Sequence, residues 1–246
     1  MDLGLQGKRA AVAAGSAGLG LGTAKALVAA GVRVAICGRD EQRLAAAAEL
    51  LGPSCVPLVV DVGTAAGGTA FVEAATDALG GVDILVTNAG GPPAGTFAST
   101  GVDAYPAALE LNLLSVVAMC KAAVPAMQAQ RWGRVVAITS VSVRQPIPTL
   151  ILSNTARAGV TGFLKTLARE VAADGVTVNS VQPGIHATDR MIALGRLDPA
   201  DWGVPAGVVG DPDDFGAVVA FLCSEQARYI TGAALPVDGG SNAGLQ

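Results

Sequence analysis

The chain has 246 residues, 51% of them apolar and only 15% charged, and carries a net charge of −4 at pH 7. That much apolar matter excludes intrinsic disorder, and its 32 glycines, spaced without a three-residue period, exclude a collagen-like rod. An acidic balance with dispersed lysines and arginines argues against binding a nucleic-acid backbone.

Short β-branched runs alternate with longer Ala/Leu stretches of helical character. Strand is predicted for Lys8–Ala14, Val32–Cys37, Val56–Val60, Ile84–Thr87, Gly133–Thr139, Val176–Val181 and Ala234–Val237. Helix is predicted for Gly20–Ala30, Glu41–Leu51, Ala65–Leu79, Tyr105–Ala129, Asn154–Ala173 and Asp214–Leu222, with a variable stretch from His186 to Gly210. Strands apolar on both faces, each followed by a helix, build a parallel sheet covered on both sides. The expectation is one α/β domain over residues 1–246, a doubly wound (Rossmann) fold with a seven-stranded parallel sheet and helices on both faces.

Cys37, Cys55, Cys120 and Cys223 lie far apart, and the chain has a single histidine, so no metal site is expected. Lys8-Arg9 before an Ala-rich run has the outline of a leader peptide, but Gly15, Gly18, Gly20 and Gly22 break its apolar core. No 18-residue stretch is both apolar and free of charge, so no membrane span is expected and a cytoplasmic location is the default.

Ala14-Gly15-Ser16-Ala17-Gly18-Leu19-Gly20 separates the first strand from the first helix. Glycines there allow a tight turn and close backbone approach, and the free N–H groups of the helix start attract a pyrophosphate. The second strand ends in Cys37-Gly38-Arg39, with no acid where a ribose-binding carboxylate would stand. Arg39 can pair with a 2′-phosphate, which favours NADP(H) over NAD(H); the plainer alternative is a solvated turn arginine beside Asp40. Asp61-Val62, closing the third strand, would face the adenine.

With Asn88-Ala89-Gly90 after the fourth strand, Asn112 in a long helix, Ser140 ending the fifth strand, Pro183-Gly184 after the sixth, Tyr229-Ile230-Thr231-Gly232 and Val237-Asp238-Gly239-Gly240, nearly the whole chain resembles the short-chain dehydrogenase/reductase family. Within it the likeness is to 3-oxoacyl carrier-protein reductases. The resemblance implies a nicotinamide cofactor along the carboxyl edge of the sheet, with Gly15, Ser16, Gly18, Leu19, Gly20, Arg39, Asp61, Val62, Asn88, Ala89, Gly90, Pro183, Gly184, His186 and Thr188 about it. It also implies a homodimer or homotetramer built on the Tyr105–Ala129 and Asn154–Ala173 helices and the last strand.

One departure governs the mechanism. The family carries a Tyr-x-x-x-Lys pair 13 residues beyond its catalytic serine; here that count from Ser140 reaches Ser153, with Arg157 four further on. Gly159-Val160-Thr161-Gly162-Phe163 stays in register with the family's usual helix, so the replacement is not a slipped alignment. A serine hydroxyl is far less acidic than a phenol, and a guanidinium does not relay protons near neutrality. Losing a positioned acid typically costs about 10²–10⁴ in rate. Arg157 can still hydrogen-bond ribose hydroxyls or an oxyanion.

Other groups invite alternatives. His186 could donate a proton near neutral pH or be an ordinary semi-buried histidine. Arg144 and Arg190 would flank the cleft and, with Arg157, hint at an anionic small-molecule substrate; the plainer reading of each alone is a solvated or salt-bridged side chain, with Asp189 beside Arg190. Residues 189–209 read as a short lid carrying Met191, Ile192, Leu194, Leu197, Trp202 and Val204. Three functions follow in order. The first is an NADP(H)-dependent oxidoreductase of a carbonyl or alcohol (3-oxoacyl-like), with Ser140 polarising the oxygen, Asn112 holding a water or a helix kink, and Ser153 with Arg157 in place of the usual pair. The second is a non-redox lyase or isomerase using an Arg-lined oxyanion site, and the third a non-catalytic NADP(H)-binding protein.

Overall fold

Strand β1 (Arg9–Val12) carries Ala10, Ala11 and Val12 with no exposure at all, so it lies in the middle of a sheet with both faces covered. In the computed structural model, which describes residues 2–193, 195 and 197–244, seven parallel strands stand in the order β3-β2-β1-β4-β5-β6-β7. The others are β2 (Arg33–Gly38), β3 (Cys55–Val59), β4 (Ile84–Thr87), β5 (Gly133–Ile138), β6 (Val176–Pro183) and β7 (Ala234–Val237). Every residue of β4 and β5 is buried. The order reverses between β1 and β4, which opens a crevice at the carboxyl ends of these strands, where ligands bind in this architecture.

One apolar layer packs α3 (Ala65–Leu79), α5 (Ser115–Ala129) and α6 (Ile151–Val171) on the sheet through Phe71, Met119, Met127 and Leu164. The opposite layer packs α1 (Gly18–Ala29), α2 (Glu41–Leu51) and α8 (Pro212–Cys223) through Leu27, Leu44 and Phe215. Emptying one such position, Phe71→Ala, would cost about 3–5 kcal/mol. Helices α1 and α8 cross at van der Waals contact of their backbones: a Cβ on Gly22 would lie 2.1 Å from Pro212 O, and one on Gly216 would lie 2.2 Å from Gly22 O.

The long helix predicted over Tyr105–Ala129 is not uniform. It begins as α4 (Tyr105–Leu109), widens into a π-turn at Glu110–Leu114 and resumes as α5. The continuous helical run 102–129 is long and apolar enough to cross a bilayer, with a mean hydropathy of 1.6 over its best window. Here its buried residues Met119, Cys120, Ala123 and Met127 form the wall against the sheet, so the run serves as a core helix. Within the variable stretch a short helix α7 (Asp189–Ala193) and one 3₁₀ turn (Ala200–Trp202) form; Leu194, Arg196 and the side chain of Arg190 lie outside the described residues.

Candidate active site

The loop from β1 to α1 makes its turn at Ala14, whose φ of 48° is in the left-handed region that L side chains avoid. Gly20, one turn into α1, can only be glycine, because a Cβ would lie 2.3 Å from Ala14 O. Ala17, the residue before α1, gives no side-chain cap, so the N–H groups of the first turn stay open toward the crevice. Those open donors fit a pyrophosphate.

At the carboxyl end of β2, Arg39 is largely exposed and makes one long ion pair, 3.9 Å from Nη1 to Asp61 Oδ2. Ser16 Oγ closes on the preceding residue, 2.9 Å from where a Cβ on Gly38 would sit. A hydroxyl and a largely exposed, loosely paired guanidinium on this edge fit a phosphate on the adenosine ribose. Asp61 accepts the Gly63 N–H at 2.9 Å, and Val62 beside it is buried. Beyond β4, the Asn88 amide lies 3.5 Å from Ala14 O, joining the two loops that bound the crevice.

Asn112 lies in the π-turn, a feature frequent at functional sites. Its Nδ2 donates to Gly90 O at 2.9 Å, while its buried Oδ1 has no protein partner among the described residues. The helix-kink reading of Asn112 therefore has a structural basis: the extra residue of the turn carries the amide across to the Asn88-Ala89-Gly90 loop.

Ser140 closes β5 and starts a 3₁₀ turn, where its Oγ accepts the Ser142 N–H at 3.1 Å and keeps its own proton for another acceptor. Ser153, in the first turn of α6, is 8% exposed. The two hydroxyls line one cavity of about 610 Å³, together with Pro183, Gly184, Met191 and Trp202. The size suits a small molecule. Gln145, Ser241 and Asn242 also line it, and sequence reasoning passed over all three.

Arg157 follows Ser153 by one helical turn, half-buried, and its Nη1 donates to Ile138 O at 3.2 Å. Burial pulls the guanidinium down to about 10, which leaves it cationic at neutral pH. Arg144 is directed elsewhere: its Nε donates to Gln182 Oε1 and its Nη2 to Ala234 O, both at 3.1 Å, beside a separate small cleft that Lys165 also lines. None of the described residues lining the main cavity carries a charge. Of the three guanidinium groups expected from sequence to flank the cleft, Arg144 and Arg157 are not among the described residues lining this cavity, and the side chain of Arg190 lies outside the described residues.

His186 also departs from expectation. Its ring stacks edge-on against Phe215 at 5.0 Å, Nδ1 lies 3.2 Å from Gly184 O, and the side chain is 5% exposed. Burial holds its pKa below the usual 6.5, so the imidazole is neutral at pH 7. It braces the Pro183–Gly184 turn from behind and is no proton donor to the cavity. Thr188 approaches the glycine loop, its Cγ2 3.2 Å from where a Cβ on Gly18 would lie.

The family described as enoyl-(acyl carrier protein) reductase matches residues 13–242. The chain is 37% identical to 3-oxoacyl-[acyl-carrier-protein] reductase FabG of Vibrio cholerae, covering 97% of this chain and 98% of that one. Among solved structures it is similar to L-sorbose reductase from Gluconobacter frateurii, complexed with NADPH and L-sorbose (TM-score 0.94, 31% identity, 100% of both chains). It is also similar to an NADPH-bound short chain oxidoreductase from Pseudomonas aeruginosa PAO1 that contains an atypical catalytic center (TM-score 0.90, 32% identity, 97% of this chain and 98% of that one). With that coverage, and with the crevice, the glycine loop and the serine pair in place, the chain belongs to the short-chain dehydrogenase/reductase family.

Proposed function

We propose that this chain is an NADP(H)-dependent reductase of a small carbonyl compound, with Ser140 as the serine of the usual site and Ser153 and Arg157 in place of its tyrosine and lysine. The observation that carries the reading is the placement of both hydroxyls on one cavity beside Pro183 and Gly184. NADPH, when bound, supplies the hydride for the carbonyl carbon.

The open first turn of α1 with Ser16, Gly18 and Leu19 would hold the pyrophosphate, and Arg39 the 2′-phosphate. Asp61 and Val62 would border the adenine, Asn88, Ala89, Gly90 and Arg157 the riboses, and Pro183, Gly184 and Thr188 the nicotinamide side. Ser140, its lone pair already engaged by the Ser142 N–H, turns its proton to the carbonyl oxygen; Ser153 supplies a second donor. Neither serine releases a proton near neutrality. They stabilise the growing alkoxide, with the Arg157 charge one turn behind, and solvent in the cleft provides the proton. Met191 and Trp202, which line the cavity, would be the described part of the lid expected over 189–209, and we read the chain as a single domain.

We further read the groove between α5 and α6, where Phe163 and Leu167 are partly open, as a self-association surface of a dimer or tetramer. Four free thiols accord with a cytoplasmic location. NADPH oxidation at 340 nm with a panel of ketones tests the reading: turnover that falls in Ser140→Ala supports it, and tight NADPH binding without turnover of any ketone contradicts it.

A further inference from the structure

Cys37 lies near the carboxyl end of β2, fully buried, between β1 on one side and β3 on the other, where it pairs with Leu58. The register of Val12 with Ile36 sets it against the point where β1 runs out into the glycine loop. It receives two successive N–H groups of that loop. The Gly15 N–H goes to the Cys37 carbonyl at 3.0 Å, and the Ala14 N–H goes to Cys37 Sγ at 3.4 Å, within the longer reach of sulfur. Burial pushes the thiol up to about 12, so the sulfur is a neutral acceptor at pH 7.

The bond from Ala14 holds a strained turn. Ala14 has a φ of 48°, a conformation that an L side chain adopts only under constraint. Its peptide is also the floor beneath α1: the Asn88 amide approaches Ala14 O at 3.5 Å, and a Cβ on Gly20 would lie 2.3 Å from the same oxygen. The next residue has little slack, since a Cβ on Gly15 would lie 2.7 Å from Ile36 Cγ2. Glycine would take such a turn unaided, whereas alanine needs a bond to stay in it, and the thiol provides one. Released from Cys37, Ala14 returns to a right-handed or extended backbone, and the chain entering α1 turns with it. The N–H groups at the start of α1 then lose their aim at the crevice, and a dinucleotide has to restore the turn as it binds.

We propose that Cys37 is a positioning residue for the cofactor: its thiol, without touching the ligand, holds the left-handed Ala14 turn in the form that presents the first turn of α1 to the pyrophosphate of NADP(H). This rests on the assignment of the pyrophosphate to that helix start. It goes beyond the assignment in naming what keeps the loop in shape.

The test is fluorescence titration with both dinucleotides. Cys37→Val keeps an apolar side chain of similar bulk and removes the acceptor, while Cys37→Ser keeps an acceptor. Cys37→Val should raise the Kd of NADPH and that of NADH by the same factor, at least about fivefold, the weight of one hydrogen bond, because both carry the pyrophosphate. Cys37→Ser should stay within about twofold of the parent protein. In an Ala14→Gly background, where glycine holds the turn by itself, Cys37→Val should cost less than about twofold. A role in packing alone would lower Tm without making the Kd depend on the residue at position 14. Should Cys37→Val not fold, Cys37→Ala with and without Ala14→Gly gives the same comparison. Unchanged Kd values in the folded variants overturn the proposal, as does a loss that is equal with alanine and with glycine at position 14. A parent protein that binds neither dinucleotide overturns the pyrophosphate assignment and this proposal together. A parent that binds both while the variants match it overturns this proposal alone.

Discussion

Arg157 stands one helical turn beyond Ser153 on α6 and gives its Nη1 to Ile138 O, so the cation lies behind the serine and outside the cavity lining. The pair thus keeps the spacing of the family's phenol and ammonium while dividing the labour differently. Ser153 lines the cavity where the proposed substrate would sit, and Arg157 fastens α6 to the end of β5.

This arrangement predicts the outcome of restoring the usual residues. Ser153→Tyr with Arg157→Lys extends a phenol into a cavity of about 610 Å³, which has room for it. Reduction of a ketone by NADPH should accelerate by about 10²–10⁴, the ordinary contribution of a positioned acid. Initial rates at 340 nm check this, and an unchanged kcat in a folded double variant would mean that position 153 does not face the reacting oxygen.

Arg39, exposed and only loosely paired with Asp61, predicts a selective loss. Arg39→Ala should raise the NADPH Kd about ten- to a hundredfold, the effect of losing one or two charge-assisted hydrogen bonds worth about 1.5–3 kcal/mol. The NADH Kd should stay within about twofold. Fluorescence titration with both dinucleotides separates the cases, and equal weakening of both would place Arg39 away from the 2′-phosphate.

The turn at Ala14 holds a left-handed φ of 48° without glycine. Such a conformation costs an L residue about 1–2 kcal/mol, against about 0.4–1 kcal/mol for the greater freedom that glycine gives the unfolded chain. Ala14→Gly should therefore stabilise by about 0.5–1 kcal/mol and raise Tm by about 1–4 °C. A lower Tm in calorimetry would show that the Ala14 methyl contributes packing that outweighs the backbone conformation.

His186, the only histidine, predicts a pH dependence. Its folded pKa is depressed below 6.5 by burial, so the unfolded chain takes up a proton more readily than the folded one. The stability that follows is fully present above pH 6.5 and is lost as pH falls from there through the lower, folded value. The urea midpoint should therefore decline from pH 7 toward pH 5, and His186→Gln should flatten that decline. A single imidazole resonance titrating at or above 6.5 would contradict the placement against Phe215.

The strand and helix alternation was legible because parallel strands buried on both faces leave unbroken apolar runs, and β4 and β7 form over the residues expected. The glycine loop was legible from its place between the first strand and the first helix, and the Ser153–Arg157 departure only against the pair that the resembled family carries. The π-turn was not, since Glu110-Leu111-Asn112-Leu113-Leu114 has an ordinary helical pattern and the bond from Asn112 to Gly90 that accompanies the widening joins residues 22 apart. The directions of Arg144 and His186 depend on Gln182 and Phe215, partners distant in sequence, so no local pattern announces them. Gln145 and Asn242 meet at the cavity only because β7 returns the chain there, and a polar Ser-Asn after Val237-Asp238-Gly239-Gly240 was the sole hint.

The most direct test follows a deuterium label. With NADPH deuterated at the transferring position and methyl 3-oxobutanoate as acceptor, the alcohol should carry deuterium on its carbinol carbon, with one stereochemistry, and Ser140→Ala should lower its yield at least about a hundredfold. Alcohol formed at the parent rate by the Ser140→Ala, Ser153→Ala double variant, or NADPH bound tightly with no label reaching any carbonyl acceptor, would contradict the account.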